Sequence, residues 1–451
     1  MSEIAQRLDE IKRLGLHRRM RLVSGPQGPR VVLDGKPVLL LCSNNYLGLA
    51  DHPKVRQAAA DAAMRWGVGA GASRLVSGTM TIHRRLEDRL ADFKATEACL
   101  LFGSGYLANI GVISALARKG EVVFSDELNH ASIIDGCRLA GADIFVYGHG
   151  DVEHLEWGLQ EAGDRASLIV TDGVFSMDGD VAPLEEIVEL AHDYDVRLVV
   201  DDAHGTGTIG PDGRGAVAEA GLDGEVDIII GTLGKALGSY GAYVCCDNTM
   251  AQYLTNTARS LIYSTALAPP AAAGALASLE LLIENPRRAE KLAANADVLR
   301  SELTKVGFDV SGSSTQIIPL VIGGAEQTMD VCEAALKRGV FAQAIRPPTV
   351  PQGTSRLRLA VMASHTKGEL REAALVLGEA AASVGFVPSD APRLATIERR
   401  RVEPAVELDT DRAMRLAMQP VPELTIEAPD QPITESHLFD GEAIEQGRRA
   451  A

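Results

Sequence analysis

The sequence contains no apolar segment long enough to cross a membrane. Such a segment needs roughly 18–20 residues, whereas the hydrophobic residues of this chain, 46% of the total, are spread over shorter runs. The N-terminal stretch MSEIAQRLDEIKRLGLHRRMRL is charged throughout and lacks the apolar centre of a signal peptide. We therefore expect a cytoplasmic protein that has no membrane partner.

Cysteine and positive charge are also scarce. The six cysteines of the 451 residues show no paired spacing, so we expect reduced thiols that pack as small apolar groups. No cluster of histidine and cysteine has the spacing of a zinc site, and we expect no metal. The formal net charge of −17 argues against nucleic acid or an anionic membrane as the main partner. A local basic site could still bind a phosphate or a thioester carrier.

Short apolar runs alternate with helical stretches between about residues 100 and 244. Continuous apolar strands that are separated by helices indicate a largely parallel sheet with helices on both faces, and hence an α/β fold. We identify seven such runs: CLLF, EVVFSD, DIFVYG, SLIVTDG, RLVVDD, DIIIG and AYVCC. Ligands of such sheets bind beyond the carboxyl ends of the strands. The polar residues that follow these runs are therefore the first candidates for a functional site.

The length of the chain, 451 residues, favours two domains with additional segments. Residues 46–265 are predicted to form the large domain. We predict a helix over residues 3–22 and a hairpin around the Asp-Gly of VVLDGKPVLLL, and residues 1–45 with this helix and hairpin would join a smaller α+β domain of residues 266–387. Residues 388–451 are rich in proline and contain no lysine. Their composition predicts a disordered tail.

Two of the strand ends carry residues that could bind a charged ligand. Asp201 is the first carboxylate after the apolar run RLVV, and His204 follows three residues later. An aspartate there usually caps the next helix, but it could also pair with a buried cation. In LFGSGYLANIGV, Gly105 and Tyr106 place free backbone N–H groups at the start of a helix, which is a ready anion site. Glycine turns before helices are common, so this signal alone is weak.

Three further strand ends add polar residues. His130 follows one strand in SDELNHASIIDG, and Asp172 and Ser176 follow another in TDGVFSMDGD, where such residues are mostly caps or turns. Lys235 stands at the end of the apolar strand DIIIGT among several glycines, and Thr232 precedes it. Pyridoxal 5′-phosphate requires a Schiff-base lysine, a carboxylate for its ring nitrogen and a phosphate site. The set as a whole predicts this cofactor on Lys235, with the Thr232 hydroxyl on its phosphate.

These motifs resemble the α-oxoamine synthases, which are pyridoxal-phosphate enzymes of fold type I. The resemblance covers about residues 4–387, and its motifs stand in the family's order. They are SNNYLGLA, GASRLVSGT, HRRLEDRLADF, LNHASIIDG, TDGVFSMDGDVAPL, VDDAHGTGTIGPDGRG and GTLGKALGSYG. The fold that this resemblance implies has a large domain with a mostly parallel sheet and a smaller α+β domain.

The resemblance implies a role for each candidate residue. Lys235 would form the Schiff base, Asp201 would keep the ring nitrogen protonated, His204 would contact the ring hydroxyl and His130 would stack on the ring. The cofactor-binding set is Gly105, Tyr106, Ser176 and Thr232 together with these four residues. Arg358 and Thr349 would bind substrate. An N-terminal arginine would contact the acyl substrate, with Arg18 as the best match beside Arg19 and Arg21.

Within the family, LIYSTALAPP and AIRPPTVPQGTSRLRLAV are most similar to the branch that condenses L-alanine with a pimeloyl thioester in biotin biosynthesis. The acyl carrier of that thioester could be CoA or acyl carrier protein. Family members are homodimers, and Ser264 or Thr265 would approach the neighbouring subunit's phosphate site. Three alternatives stay open: a synthase that uses glycine with acetyl-CoA or succinyl-CoA, a fold-type I aminotransferase, and a binding protein without catalysis.

Overall fold

The computed structural model describes residues 2–388 and residue 391. Fourteen α-helices lie in this part of the chain: α1 (Glu3–Arg13), α2 (Pro53–Trp66), α3 (Thr81–Lys94), α4 (Gly105–Leu116), α5 (Ala131–Ala140), α6 (Val152–Ala162), α7 (Leu184–Asp193), α8 (Ala216–Glu219), α9 (Asn248–Thr257), α10 (Arg259–Ile262), α11 (Pro269–Glu284), α12 (Arg287–Lys305), α13 (Ala325–Lys337) and α14 (Lys367–Ser383).

The same residues form fourteen strands in three sheets. The strands are β1 (Val23–Ser24), β2 (Arg30–Leu33), β3 (Lys36–Leu40), β4 (Ala98–Phe102), β5 (Val122–Asp126), β6 (Asp143–Tyr147), β7 (Ala166–Asp172), β8 (Arg197–Asp201), β9 (Ile228–Thr232), β10 (Ala242–Cys246), β11 (Ile317–Gly323), β12 (Val340–Phe341), β13 (Gln343–Ile345) and β14 (Ser355–Ala360).

The central sheet contains all seven of the apolar runs that the sequence analysis identified. Its strand order is β4-β10-β9-β8-β7-β5-β6. The pairs from β9 to β6 are parallel, whereas β10 is antiparallel to both β4 and β9. Buried apolar residues cover the sheet in two clusters, which is why its strands are apolar on both faces. The predicted α/β class with a mostly parallel sheet is therefore confirmed.

Two smaller sheets use residues from both ends of the described chain. One has the order β1-β2-β3-β12 and the other the order β11-β14-β13. Strands β2 and β3 are antiparallel and are joined at Asp34 and Gly35, which have φ of +48° and +80°. This is the predicted Asp-Gly hairpin. The division into residues 1–45, 46–265 and 266–387 stays a prediction.

Two helix boundaries differ from the sequence-based expectation. The predicted helix over residues 3–22 ends at Arg13, because Gly15 adopts a φ of +69° that no helix continues through. Residues 266–306, whose alanine- and leucine-rich composition predicts a helical region, are divided into α11 and α12 at Asn285 and Pro286. Proline lacks the N–H that a continuous helix would need there.

The predicted tail, residues 388–451, lies outside the described residues apart from positions 388 and 391. Among the helices described above, none is long and apolar enough to span a membrane.

Candidate active site

Four parallel strands of the central sheet bring polar residues to one edge. Strand β5 ends at Asp126, β7 at Asp172, β8 at Asp201 and β9 at Thr232. Asp172 and Asp201 are direct neighbours in the register of β7 and β8. This edge is the carboxyl edge at which ligands of such sheets bind.

Lys235 lies at this edge, in the connection between β9 and β10. Its Nζ is 2.8 Å from Nε2 of His204, and no carboxylate of the described residues lies within ion-pair distance. Burial lowers the pKa of Lys235 to about 8, although the nearby carboxylates of Asp201 and Asp172 oppose that shift. A substantial fraction of this amine is therefore neutral near neutral pH, as a lysine that attacks a carbonyl requires.

The chain segment around Tyr46 closes against the lysine loop. Gly238 has a φ of +58°, and a Cβ there would lie 2.4 Å from the backbone nitrogen of Ala50. Glycine therefore allows the two segments to approach each other. The Tyr46 hydroxyl is fully buried and lies 2.7 Å from Nδ1 of His204. Burial and the positive charges of Lys235 and Arg358 hold the pKa of His204 well below its ordinary value.

Asp201 is held by a side chain of α4 and by a backbone N–H of the turn that follows β8. Nδ2 of Asn109, on α4, donates to Oδ2 of Asp201 at 2.6 Å and to the Ser132 hydroxyl at 2.8 Å. That hydroxyl lies 2.7 Å from Nδ1 of His130. The second oxygen of Asp201 accepts the N–H of Ala203 at 3.0 Å. The predicted pair of Asp201 and His130 is therefore joined through two residues that the sequence analysis did not identify.

Asp172 belongs to the site rather than only to a turn. Its side chain accepts the N–H of His130 at 2.8 Å, and its own N–H donates to Asn129 at 2.8 Å. Burial and the neighbouring carboxylate of Asp201 raise the pKa of Asp172 well above its ordinary value. Two adjacent carboxylates of this kind resist double ionisation, which explains the direction of this shift.

Arg358 is a buried cation whose hydrogen-bond acceptors are all neutral. Its guanidinium donates to the Ser176 carbonyl, to Oδ1 of Asn44 at 3.2 Å and to the Tyr46 hydroxyl at 3.2 Å. No carboxylate of the described part of the chain forms an ion pair with it. Arg356, two residues earlier on the same strand, instead pairs with Asp178. An unpaired buried charge is costly unless a ligand of opposite charge compensates it.

The segment that carries Ser176 is fixed from its other side by His149. The imidazole lies between Oδ1 of Asp126, at 3.1 Å, and Oδ2 of Asp180, at 2.7 Å. Burial alone would lower the pKa of His149, but these two hydrogen bonds outweigh it and raise the pKa to about 10. His149 is therefore a cation at neutral pH, and it ties the end of β5 to the segment beside Arg358.

The predicted anion site lies at the start of α4. The side chain of Ser104 accepts the N–H of Leu107 at 3.3 Å and caps the helix, while the N–H groups of Gly105 and Tyr106 have no acceptor within the helix. A Cβ on Gly105 would meet no atom within 4 Å. The buried Oδ1 of Asn109, one turn further along α4, has no hydrogen-bond partner. The site thus combines a helix start with free N–H groups, a lysine whose pKa is lowered and a carboxylate that is held in place. This set of groups fits pyridoxal 5′-phosphate.

Thr232 and Tyr106 have protein partners of their own. The Thr232 hydroxyl donates to the Gly241 carbonyl at 3.1 Å and accepts the Gly234 N–H at 3.2 Å. The Tyr106 hydroxyl donates to the carboxylate of Asp135. Both residues border the predicted cofactor position, and their contact with the cofactor stays a prediction.

Arg18 and Thr349 are the predicted residues that the structure does not bring to this cluster. Thr349 is exposed, and its backbone N–H donates to the carbonyl oxygen of Arg346 at 3.1 Å. Arg18 is an exposed neighbour of Arg346, and its positive charge contributes to a lowered pKa of Arg346, for which burial is the larger cause. Of the other N-terminal arginines, Arg21 is already paired with Asp34 and Glu333.

Comparison with known proteins agrees with this geometry. A model of the family "Aminotransferase class I and II" matches residues 36–377. The 8-amino-7-oxononanoate synthase of Citrifermentans bemidjiense is 52% identical over 390 residues, which are 86% of this chain and 100% of that protein. The synthase of the same name from Geobacter metallireducens is 52% identical over 388 residues, which are 85% of this chain and 99% of that protein.

A solved structure is similar over the same length. Serine palmitoyltransferase from S. paucimobilis, with a bound PLP–myriocin aldimine, has a TM-score of 0.81 and 32% identity, and the match covers 85% of this chain and 98% of that one. The chain therefore belongs to the class I and II aminotransferase family and, within it, to the family of 8-amino-7-oxononanoate synthases, which are pyridoxal-phosphate-dependent transferases of fold type I.

Proposed function

We propose that this chain condenses L-alanine with a pimeloyl thioester, with loss of carbon dioxide, to form 8-amino-7-oxononanoate. The observation that carries the amino-acid half of this proposal is Arg358. Its guanidinium is 7% exposed and donates only to neutral oxygens of the described residues. A carboxylate is the ligand that two parallel N–H groups of arginine bind best. An α-amino acid supplies that carboxylate.

The chain's own residues divide the chemistry between them. Pyridoxal 5′-phosphate, when it is bound, supplies the electron sink that makes the substrate Cα acidic. Asp201 holds the ring nitrogen, and Asn109 keeps that carboxylate in place at 2.6 Å. Lys235 moves the proton at the substrate Cα, since its lowered pKa of about 8 suits a general base near neutral pH. Arg358 orients the amino acid by its carboxylate.

The acyl half of the proposal depends on residues near the surface. We assign the acyl substrate to Arg18 and Thr349. Both residues are neighbours of Arg346: Thr349 bonds its carbonyl, and Arg18 lies close enough to affect its pKa. Arg346 donates to the carbonyl of Gly15 and thereby holds the N-terminal segment against this loop. The acyl donor is a pimeloyl thioester of CoA or of acyl carrier protein.

We propose further that the active protein is a cytoplasmic homodimer. The LIYSTALAPP segment connects the end of α10 to the start of α11, and Tyr263 within it is 72% exposed. Thr265 forms an isolated β-bridge with Ser73 and is exposed, so its side chain is available to a neighbouring subunit. Light scattering of the active enzyme should show a dimer, and a purely monomeric active enzyme would contradict this proposal.

The experiment that tests the reaction is a matrix of substrates. Purified protein with pyridoxal 5′-phosphate is assayed with alanine or glycine, each against pimeloyl-CoA, pimeloyl-acyl carrier protein, acetyl-CoA and succinyl-CoA. We expect the highest kcat/KM for alanine with a pimeloyl donor, and the two pimeloyl donors identify the carrier. Faster turnover of glycine with a short acyl-CoA would place the chain in another branch, and exchange with a keto acid alone would indicate an aminotransferase.

A further inference from the structure

Tyr46 joins the two cations of the site through a continuous path of hydrogen bonds. Nη2 of Arg358 lies 3.2 Å from the Tyr46 hydroxyl, that hydroxyl lies 2.7 Å from Nδ1 of His204, and Nε2 of His204 lies 2.8 Å from Nζ of Lys235. Tyr46, His204 and Arg358 are all buried. The reacting amine and the proposed carboxylate site are therefore connected without an intervening solvent gap.

The hydrogen-bond capacity of the Tyr46 hydroxyl determines the direction of this path. A hydroxyl has one donor and two acceptor positions. The Tyr46 O–H donates to Oδ1 of Asn44 at 3.0 Å, and one acceptor position takes the N–H of Arg358. Nδ1 of His204 lies 2.7 Å from the same oxygen, which Gln316 also hydrogen-bonds. Because the single O–H is directed to Asn44, we assign the ring proton of His204 to Nδ1. Nε2 then presents its lone pair to Lys235.

Hydrogen bonds of the backbone fix the segment that carries the buried Tyr46 ring. The segment from Asn45 to Ala50 is closed by the hydrogen bonds of Gly48 N–H to the Asn45 carbonyl, at 2.9 Å, and of Ala50 N–H to Oδ1 of Asn45, at 3.1 Å. The Tyr46 carbonyl accepts the N–H of Ala363 at 2.7 Å, which fixes this segment to the end of β14. The hydroxyl thus stands at a defined point between Arg358 and His204.

We propose that Tyr46 is a positioning residue that sets the orientation and the tautomer of His204 and couples it to Arg358, so that a carboxylate bound at Arg358 changes the environment of Lys235. The inference rests on the proposed function, in which Arg358 takes the carboxylate of alanine. Because the Arg358 N–H groups turn to that carboxylate, the Tyr46 hydroxyl loses a charged donor and its bond to His204 changes in strength. Binding of the amino acid at Arg358 thereby changes the environment of Lys235.

The test is the Tyr46→Phe variant of the holoenzyme, which removes one oxygen and keeps the ring. Two quantities are measured: the dissociation constant of alanine from the spectral change, and the midpoint of the pH titration of the visible cofactor band. We expect alanine to bind about tenfold more weakly and the midpoint to shift by about one pH unit, the scale of one hydrogen bond to a charged group. The effects of Tyr46→Phe and Arg358→Lys should not be additive.

The matched control is Tyr253→Phe, which removes a hydroxyl bonded to the Ala115 carbonyl at 2.9 Å, outside the site. It should leave both quantities unchanged. A Tyr46→Phe enzyme that binds alanine and titrates like the wild type, or whose effect simply adds to that of Arg358→Lys, overturns the inference. A wild type that shows no spectral response to alanine instead refutes the proposed function.

A second probe covers the case in which Tyr46→Phe does not fold. Incorporation of 3-fluorotyrosine at position 46 preserves the ring and the hydroxyl but makes the phenol more acidic. We expect the titration midpoint of the cofactor band to move while thermal stability stays within a few degrees of the wild type. An unchanged midpoint in this folded protein contradicts a coupling through Tyr46.

Discussion

The site and the layer that surrounds it use the same residue types in opposite ways. Arg356 and Arg358 point to the same face of β14, but Arg356 pairs with Asp178 whereas Arg358 donates only to neutral oxygens. Arg356 therefore has a charge partner within the fold. Arg358 is left for a charge that arrives with a ligand.

Two lysines repeat this contrast. Nζ of Lys94 lies 2.6 Å from Oδ2 of Asp202, and both side chains are almost fully buried. Lys235 has a histidine as its neighbour instead, and its pKa is lowered to about 8. Asp202 directly follows Asp201, the carboxylate of the site. At the end of β8, Asp201 therefore belongs to the site, whereas Asp202 pairs with Lys94 in the surrounding layer. The two side chains separate in this way because successive side chains of a strand point to opposite sides.

The largest effect on this contrast should come from Lys235→Ala. We expect catalysis to fall by ~10³-fold or more, because the proton-transfer group and the covalent anchor are lost together. The melting temperature of the apoprotein should stay close to that of the wild type, since no ion pair is broken. Steady-state assays and peptide mapping after borohydride reduction check both points. A retained covalent adduct would contradict the assignment.

The second prediction concerns the paired lysine. Asp202→Asn should lower the free energy of unfolding by about 3–5 kcal/mol, because it leaves the buried Lys94 without a counter-charge. Thr206, whose hydroxyl donates to Asp202 at 3.1 Å, loses part of its support as well. Denaturant titration measures the loss. The comparison variant Asp223→Asn breaks an exposed pair with Arg214 and should cost less than about 1 kcal/mol.

The third prediction separates the two arginines. Arg358→Lys should raise the KM for alanine at least ~10-fold and leave the covalent cofactor adduct at Lys235 intact, since an ammonium cannot reproduce the paired donors of a guanidinium. Arg356→Lys should affect thermal stability more than the KM for alanine. The KM for alanine from steady-state kinetics and the melting temperature from calorimetry, measured on both variants, test this difference. Equal KM values for both would remove Arg358 from the substrate site.

The fourth prediction is a pH dependence of stability that arises from His149. Its pKa rises on folding from an ordinary value of 6.5 to about 10, because the hydrogen bonds to Asp126 and Asp180 outweigh burial. The stabilisation is therefore complete below pH 6.5 and is lost as the pH rises through about 10. The difference in unfolding free energy between wild type and His149→Gln should shrink over this interval. A difference that does not vary with pH would exclude a charged His149.

Local patterns made much of the fold and part of the site predictable. The seven strands of the central sheet follow from their apolar runs, and the alternation of SRLRLA places Arg356 and Arg358 on one face, as the structure has them. Lys235 could be identified because an apolar strand leads directly to it. These signals are all contained within short stretches of sequence.

The contacts that complete the site depend on distant parts of the chain. Tyr46 and His204 are separated by 158 positions, and Asn109 and Asp201 by 92. No pattern within a short stretch of sequence indicates that two such distant residues are in contact. The one signal in the sequence for Asn44 and Tyr46 was that both are polar residues of the motif SNNYLGLA. The helix predicted over residues 3–22 was too long for a local reason, since its apolar face of Ile4, Leu8, Ile11 and Leu14 lies wholly before Gly15, where the backbone turns.

The position of β10 in the central sheet has a consequence for the order of folding. Within the described residues, strand β4 lies at the edge of the sheet and has β10 as its only strand neighbour, so that Cys99 is paired with Cys245. During synthesis, residues 103–241, about a third of the chain, must be added before β4 gains a partner. Long-range pairings of this kind form slowly and leave an unpaired strand open to aggregation. Because the loop of Lys235 connects β9 to β10, the nascent chain acquires the reactive lysine and closes its sheet in the same late step.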